Sequence, residues 1–230
     1  MMPRRRIWTV AATILWLLPS EGAAQAMSNE AGSGLPTGLR VEIEMSGNAA
    51  RLDQGARAVF ASAGSPSFGL GYGLVLGYDG RQAGFSMAAE LGAVALDASE
   101  REAAGVVSFV AQVHWRPAWS WAGGSWPVLS VGYVRQGFGS VEVPVASLPA
   151  EAAELAGTRD EVQPALIGNG VRVGAGSGWR WGRTLALTAD LSVDLVRYGS
   201  LSVEGGEVSR ADVGTSVLPR LGIGLAWWPF

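Results

Sequence analysis

Apolar and polar residues alternate along one long segment after another, and this pattern restricts the chain to β-structure. The clearest case spans residues 184–198, where every odd position from 185 to 195 is apolar and most even positions are polar. Successive side chains of a strand point to opposite faces, so this segment has one apolar and one polar face. Apolar residues make up 48 % of the chain, yet helical periodicity is nearly absent. The sequence therefore predicts an all-β fold.

Eight segments share this alternation, each of about ten residues or more. They lie at about 37–47, 67–78, 83–96, 105–116, 127–138, 169–181, 184–198 and 216–230. Eight such segments behind a secretory signal are typical of a barrel with lipid outside and a polar interior. We predict an eight-stranded antiparallel up-and-down transmembrane β-barrel over residues 37–230. The pattern blurs at residues 135–137, which predicts a bulge in the fifth strand.

The first residues have the organisation of an export signal. Arg4 to Arg6 form a basic start, residues 7–18 are apolar, and Ala24-Gln25-Ala26 is a cleavage site of the A-x-A kind. The apolar stretch is short for a membrane-spanning helix, which needs about 20 residues. We predict a cleaved signal peptide at 1–26 and a short periplasmic N-terminal segment at 27–36.

Composition excludes several classes of partner and site. Without residues 1–26 the chain keeps 14 basic and 19 acidic residues, a formal charge of −5. A basic face, the usual sign of nucleic-acid binding, is not expected. The chain has no Cys, which excludes disulfides and thiolate metal ligands.

The connections between the predicted strands fall into short and long ones. Residues 79–80 and 182–183 are tight turns, whereas residues 139–168 form the longest loop. Outer-membrane barrels have short periplasmic turns and longer external loops. Within the long loop, residues 149–157 predict a short helix with Pro at its start and Gly at its end. We expect any contact with a partner or ligand to involve this loop.

Tryptophans supply a second, independent pattern. Eight remain after residue 26, and the predicted topology places each at a strand end or turn on the periplasmic side: Trp115, Trp119, Trp121, Trp126, Trp179, Trp181, Trp227 and Trp228. Phe68, Tyr72, Tyr133, Phe138 and Tyr198 are expected toward the opposite rim. Trp and Tyr prefer membrane interfaces, so these residues predict two aromatic belts.

Over residues 35–230 the chain resembles the small eight-stranded outer-membrane barrels of the OmpA/OmpX/OmpW type. The resemblance rests on the strand pattern and on the last strand, where Phe230 matches the terminal aromatic and Trp228 the third-from-last one. It implies location in the outer membrane, contact with outer-membrane lipid and lipopolysaccharide, and recognition of Phe230 by the barrel-assembly machinery. We expect a monomer.

Charged residues are predicted on the polar, inward face of the strands. They are Arg40, Glu42, Glu44, Glu90, His114, Arg116, Arg172, Arg180, Asp190, Asp194 and Arg220. An eight-stranded barrel is barely wide enough for side chains to fill it, so enclosed charges must pair. Five Arg against five carboxylates predict a self-neutralising plug. Inward glycines such as Gly69, Gly174 and Gly176 support the alternative, a narrow polar conduit.

No constellation of catalytic residues is recognisable. His114 is the only His, and Ser108 lies six residues away along an extended strand, too far for a Ser-His pair. An interior His bonded to a carboxylate is the simpler interpretation. The sequence thus predicts no catalytic site, no metal site and no cofactor, and a structural or surface-interaction role. Alternatives are a small porin-like channel and a secreted lipocalin-like soluble barrel, which would need its apolar faces inward.

Overall fold

The computed structural model describes residues 35–59, 66–96, 99–117, 125–139, 142–203 and 206–229. Its elements in chain order are β1 (Gly38–Ala49), β2 (Arg51–Leu52), α1 (Gln54–Val59), β3 (Pro66–Asp79), β4 (Ala83–Leu96), β5 (Ser99–Trp115), β6 (Ser125–Gly139), β7 (Val143–Pro144), a 3₁₀ turn (Val145–Ser147), α2 (Ala150–Ala156), β8 (Glu161–Val162), β9 (Ala165–Trp181), β10 (Leu185–Val203) and β11 (Gly206–Trp227). The predicted signal peptide lies outside the described residues. Within them, no helix is long and apolar enough to span a membrane.

Eight of these strands close into a barrel. β1, β3, β4, β5, β6, β9, β10 and β11 pair in that order, every pair is antiparallel, and β1 also pairs with β11. The predicted up-and-down barrel of eight strands is therefore confirmed.

The register gives the barrel a defined stagger. Starting at Glu42 and moving from each residue to its direct partner on the next strand, from β1 through β3 to β11, one reaches Ser216 on β11. In the other direction Glu42 pairs directly with Ala226 of β11, which lies ten residues after Ser216. Closing a sheet into a barrel requires such a stagger, together with a strand tilt of about 35–45°. Because ten is even, side chains keep the same inward or outward direction round the whole wall.

The two faces of the wall have opposite polarity. Outward side chains are large and apolar, with Leu70 67 % exposed and Leu191 60 % exposed, whereas the inward Arg172 and Asp194 are buried. A soluble ligand-binding barrel would need its apolar set inward, so the lipocalin-like alternative is wrong.

The barrel has two different ends. One, here called the turn end, carries the turns at 80–82 and 182–184 together with residues 35–37 and 228–229. The other, the loop end, carries β2, α1, β7, α2 and β8. The predicted helix of the long loop is present as α2, with Pro149 before it and Gly157 after it at φ 68°. That angle lies in the left-handed region, which favours glycine.

Several wall strands extend further toward the loop end than predicted. β5 begins at Ser99, β10 ends at Val203, and β11 begins at Gly206, so most of the predicted loop between the last two strands is strand. Outward positions there include polar residues such as Arg197 and Ser209. Alternation of polarity therefore fades while backbone pairing continues.

The bulge predicted in the fifth strand is wrong. Pairing of β6 with both neighbours is regular through residues 135–137. Arg135 is exposed and Gln136 buried, so the direction of the side chains alternates as before although both residues are polar. A register irregularity occurs in β10 instead, between Tyr198 and Ser200.

An apolar core fills the loop end of the barrel. Phe138 and Tyr198, predicted at the outer rim, are fully buried inside, where they belong to one cluster with Leu52, Ala152 and Ala156. Both rings stand at even positions of β6 and β10, which face inward, and loop residues pack against them in the barrel mouth.

Candidate functional site

Arg172 occupies the middle of the barrel and binds two carboxylates. Its Nε and Nη2 donate to Asp194 Oδ1 and Oδ2 at 2.6 and 2.8 Å, and its Nη1 and Nη2 donate to Glu90 Oε1 and Oε2 at 2.5 and 2.9 Å. Arg220 donates to Glu90 as well, and to Glu44 Oε1 at 3.0 Å. These pairs join strands on different sides of the lumen. We call Glu90, Arg172, Asp194 and Arg220 the central clamp.

A second polar cluster lies at the turn end, centred on Asp79. Its carboxylate contacts His114 Nε2 at 2.6 Å and accepts from Trp228 Nε1 at 2.9 Å. Arg116 lies 3.7 Å from Asp79 Oδ2 and donates to the carbonyl oxygens of Pro36, at 2.8 Å, and of Gly80. We call Asp79, His114, Arg116 and Trp228 the turn-end cluster. It connects the first described residues to the turn at 80–82 and to the residue that follows the last strand.

Sequence reasoning missed Asp79, although the signal was present. Residues 75 and 77 of β3 face inward, so residue 79 continues their parity. The tight-turn interpretation of Asp79-Gly80 hid this. Asp79 provides the carboxylate that was expected next to His114.

A polar cavity of about 80 Å³ separates the turn-end cluster from the central clamp. Glu42, Glu44 and Asp190 line it together with Gln112 and Ser130. Glu42 lies 3.6 Å from Arg40 Nε, and Thr188 donates a hydrogen bond to it. A cavity of this volume and polarity can hold a few water molecules. Arg180 is half-buried nearer the turn end.

Toward the loop end, neutral polar groups follow the clamp. Gln136 Nε2 donates to Ser108 Oγ at 3.2 Å, and Tyr198 Oη donates to Gln136 Oε1 at 2.8 Å. Tyr198 Oη also lies 3.0 Å from Ser216 Oγ. The cavity between this layer and the clamp measures about 10 Å³. Beyond it lies the apolar core, so the described part of the lumen is occupied in successive layers.

The predicted aromatic belt divides between the two faces. Trp115, Trp181 and Trp227 are exposed on the outer wall near the turn end, and Trp179 shares their outward parity. Placing Trp126 and Trp228 in the belt is wrong, because both indoles are buried inside the barrel. There they pack with Ala186 and Ala226. Trp126 is an even position of β6, and Trp228 directly follows β11; even positions of both strands face inward, so parity alone would have placed both residues correctly. Trp119, Trp121 and Phe230 lie outside the described residues.

Among the described residues, the acid-base groups of the lumen form ion pairs and hydrogen bonds with one another. Where residues are described, no three His, Asp or Glu side chains are grouped so as to hold a metal ion. His114 Nε2 lies 2.6 Å from Asp79 Oδ1, so this ring nitrogen is bonded to a carboxylate and not to a Ser or Thr hydroxyl. The described ion pairs join different strands across the barrel interior.

Comparisons with known proteins identify structures of similar fold but no protein family. No family model matches the chain, and no curated protein matches it. Solved structures that match include Neisserial surface protein A (14 % identity, TM-score 0.49, 83 % of this chain and 97 % of that one) and a major outer membrane protein from Thermus thermophilus (13 %, 0.47, 81 % and 99 %). OprG from Pseudomonas aeruginosa also matches (9 %, 0.46, 84 % and 97 %). All three are outer-membrane or surface proteins by name; the fold assignment rests on the strand pairing given above.

Proposed function

We propose that the protein is an integral outer-membrane barrel with a closed lumen and a structural or surface-interaction role, without catalysis. The observation that carries this proposal is the continuous apolar outer wall. Large apolar side chains are exposed on all eight barrel strands. Soluble monomeric proteins rarely expose a contiguous apolar surface of this extent to water.

The height of this wall supports the proposal. Outward positions are apolar from residue 68 to 78 on β3, from 185 to 195 on β10 and from 217 to 227 on β11, so that the first and last lie ten positions apart in each case. At about 3.3 Å rise per residue and a tilt of about 40°, ten such rises span about 25 Å along the barrel axis. That is about the height of the apolar band of outer-membrane barrels.

The orientation follows from the two ends. Short connections lie at the turn end, which we place in the periplasm, and the folded loops lie at the loop end, which we place outside. The surface formed by α1, α2 and the β10–β11 hairpin is then the part available to partners. Export through residues 1–26 and insertion through recognition of Phe230 belong to the same proposal.

Spin labels test membrane insertion directly, because the chain has no native Cys to compete for the label. Single Cys substitutions at Leu187, Leu191 and Ile223, and at Thr188 on the opposite face, are folded into phosphatidylcholine vesicles. We expect oxygen, which concentrates in hydrocarbon, to relax the first three labels strongly and the fourth weakly. Equal relaxation of all four, or a reversed order, would reject insertion with the apolar face outward.

A small channel is the second candidate, favoured by the polar cavity beside Glu42 and Asp190. Planar-bilayer recordings separate it from the closed barrel. The filled layers lead us to expect no steady conductance. A steady conductance that changes on replacing Arg172 or Glu42, but not on replacing the exposed Arg183, would assign passage of small solutes instead.

A further inference from the structure

We propose that the polar cavity between the turn-end cluster and the central clamp binds one monovalent alkali cation, held by side-chain oxygens of Glu44, Asp190 and Ser192. The inference goes beyond the proposed role, because it assigns a ligand to the interior of the barrel and requires only that the wall is folded.

The fixed charges inside the barrel are unequal in number. From the turn end to the central clamp, the described inward positions carry six carboxylates and five arginines, namely Glu42, Glu44, Asp79, Glu90, Asp190 and Asp194 against Arg40, Arg116, Arg172, Arg180 and Arg220. Asp79 is the carboxylate that the sequence count left out. An ionised carboxylate without a counter-charge is very costly in a closed lumen. One further positive charge is therefore expected there.

Glu44 and Asp190 lie close together at the wall of the cavity. A Cβ built on Gly222 would overlap Glu44 Oε1 and Asp190 Oδ1 at once, so these two carboxylate oxygens are near neighbours. Arg220 donates to Glu44 Oε1 at 3.0 Å, but it also donates to Glu90 and so divides its charge between two carboxylates. Two carboxylates in such proximity repel each other where water is scarce, and a cation bound between them removes the repulsion.

A buried hydroxyl at the same wall points to an occupant of the cavity. Ser192 is 3 % exposed and lines the cavity, and its Oγ has no hydrogen-bond partner at ordinary geometry among the described residues. Buried polar atoms are normally bonded to protein, to water or to an ion. Asp190 and Ser192 are two positions apart in β10 and therefore face the same side of the strand.

The volume and the donor atoms of the cavity select a monovalent cation. A volume of about 80 Å³ accommodates one ion with a few water molecules that complete its coordination. Carboxylate and hydroxyl oxygens are hard ligands, which favours alkali and alkaline-earth ions over transition metals. Because no three acidic or His side chains of the described residues are grouped around a metal position, a divalent ion would lack the ligands that it prefers. Sodium or potassium matches the single excess negative charge.

Urea unfolding in two different salts tests the binding. The full mature protein is folded into zwitterionic detergent micelles, so that the result does not depend on insertion into a bilayer. Unfolding is measured at about pH 8, where an ordinary imidazole is uncharged, in sodium chloride and in tetramethylammonium chloride of equal concentration. Tetramethylammonium keeps the ionic strength but cannot be coordinated by oxygen ligands. We expect the folding equilibrium constant to be about tenfold higher in sodium when its concentration is about ten times the dissociation constant.

Variants assign the sodium effect to the cavity. D190N removes the excess negative charge with little change of shape, so it is expected to fold and to lose the sodium effect. S192A is expected to keep part of the effect, because both carboxylates remain. The matched control D160N removes an exposed carboxylate at the loop end and is expected to keep the effect in full.

Thallium(I), a heavy monovalent cation, locates the site in crystals of the folded protein. We expect an anomalous scattering peak in the cavity beside Glu44, Asp190 and Ser192, and its loss in D190N. Equal stability of the wild type in the two salts would overturn the inference. So would a sodium effect that D190N retains or that D160N loses, and so would thallium peaks only outside the cavity.

Discussion

Replacing Arg172 with Met tests whether ion pairs hold the barrel interior. Arg172 makes four charge-assisted hydrogen bonds, two to Glu90 and two to Asp194, and all three side chains are buried. In R172M, Glu90 keeps Arg220, whereas the two hydrogen bonds recorded for Asp194 are lost. Removing one partner of a buried pair costs about 3–5 kcal/mol, because the other charge stays in a medium that solvates it poorly.

The loss of stability in R172M should therefore come chiefly from the buried Asp194 carboxylate, which no longer has its Arg172 partner. Adding D194N to R172M removes that charge and is expected to recover about 2 kcal/mol of the loss. The control R183M removes an exposed Arg from the turn at 182–184, and its effect should stay within about 0.5 kcal/mol.

The wild type, R172M, R172M/D194N and R183M are unfolded at equilibrium in urea in the same lipid vesicles. Trp fluorescence follows the transition and gives the free energy of unfolding of each protein. A loss of less than about 1 kcal/mol for R172M, the range of exposed ion pairs, would refute the reasoning. So would a double variant R172M/D194N that is no more stable than R172M alone.

Two further perturbations address close backbone contact and loop anchoring. A Cβ on Gly170 would overlap the carbonyl oxygen of Leu195, so G170A should lower stability by about 1–3 kcal/mol or prevent folding, whereas G137A, whose Cβ would have its nearest neighbour at 4.0 Å, should be nearly neutral in the same urea titration. Slight burial acts to raise the pKa of Asp53, but hydrogen bonds from the Ala56 amide and from Thr215 outweigh it and hold the pKa below its usual value. The lowered pKa means that this anchor is intact above about pH 4 and is lost as the pH falls through the folded-state value. The protection factor of the Ala56 amide, the intrinsic exchange rate divided by the observed one, should therefore fall as the pH drops below about 4; an equal fall in D53N would contradict the assignment.

Alternation along the strands was sufficient to predict the barrel, its strand number and its polar interior. The inward parity of positions 79, 126 and 228 also indicated that Asp79, Trp126 and Trp228 face the lumen. The predictions instead followed the tight-turn signal at Asp79 and the preference of Trp for membrane interfaces. For these three residues the direction of the strand determines the face, because one register governs the whole wall.

Other features could not be predicted from local pattern. Packing of loop residues such as Ala152 against Tyr198 and Phe138 depends on contacts distant in sequence, whereas the inward direction of the two rings follows from the parity of their strands. Past the apolar wall, β10 has polar residues such as Arg197 on its outer face, whereas Leu201 and Val203 lie in the apolar core of the barrel mouth, so the pattern of the wall does not continue there. The pairing of Arg172 with both Glu90 and Asp194 required the register between strands, which the sequence of one strand does not contain.

The adjacent residues Trp227 and Trp228 provide the most direct test of the central claim, that the outer wall contacts lipid and the lumen is shut. Trp227 is 47 % exposed on the outer wall, whereas Trp228 is 3 % exposed and donates to Asp79 inside. Two variants, each retaining one of these as the only Trp, are folded into vesicles of brominated phosphatidylcholine. We predict strong quenching of Trp227 fluorescence and little quenching of Trp228; equal quenching, or stronger quenching of Trp228, would contradict the account.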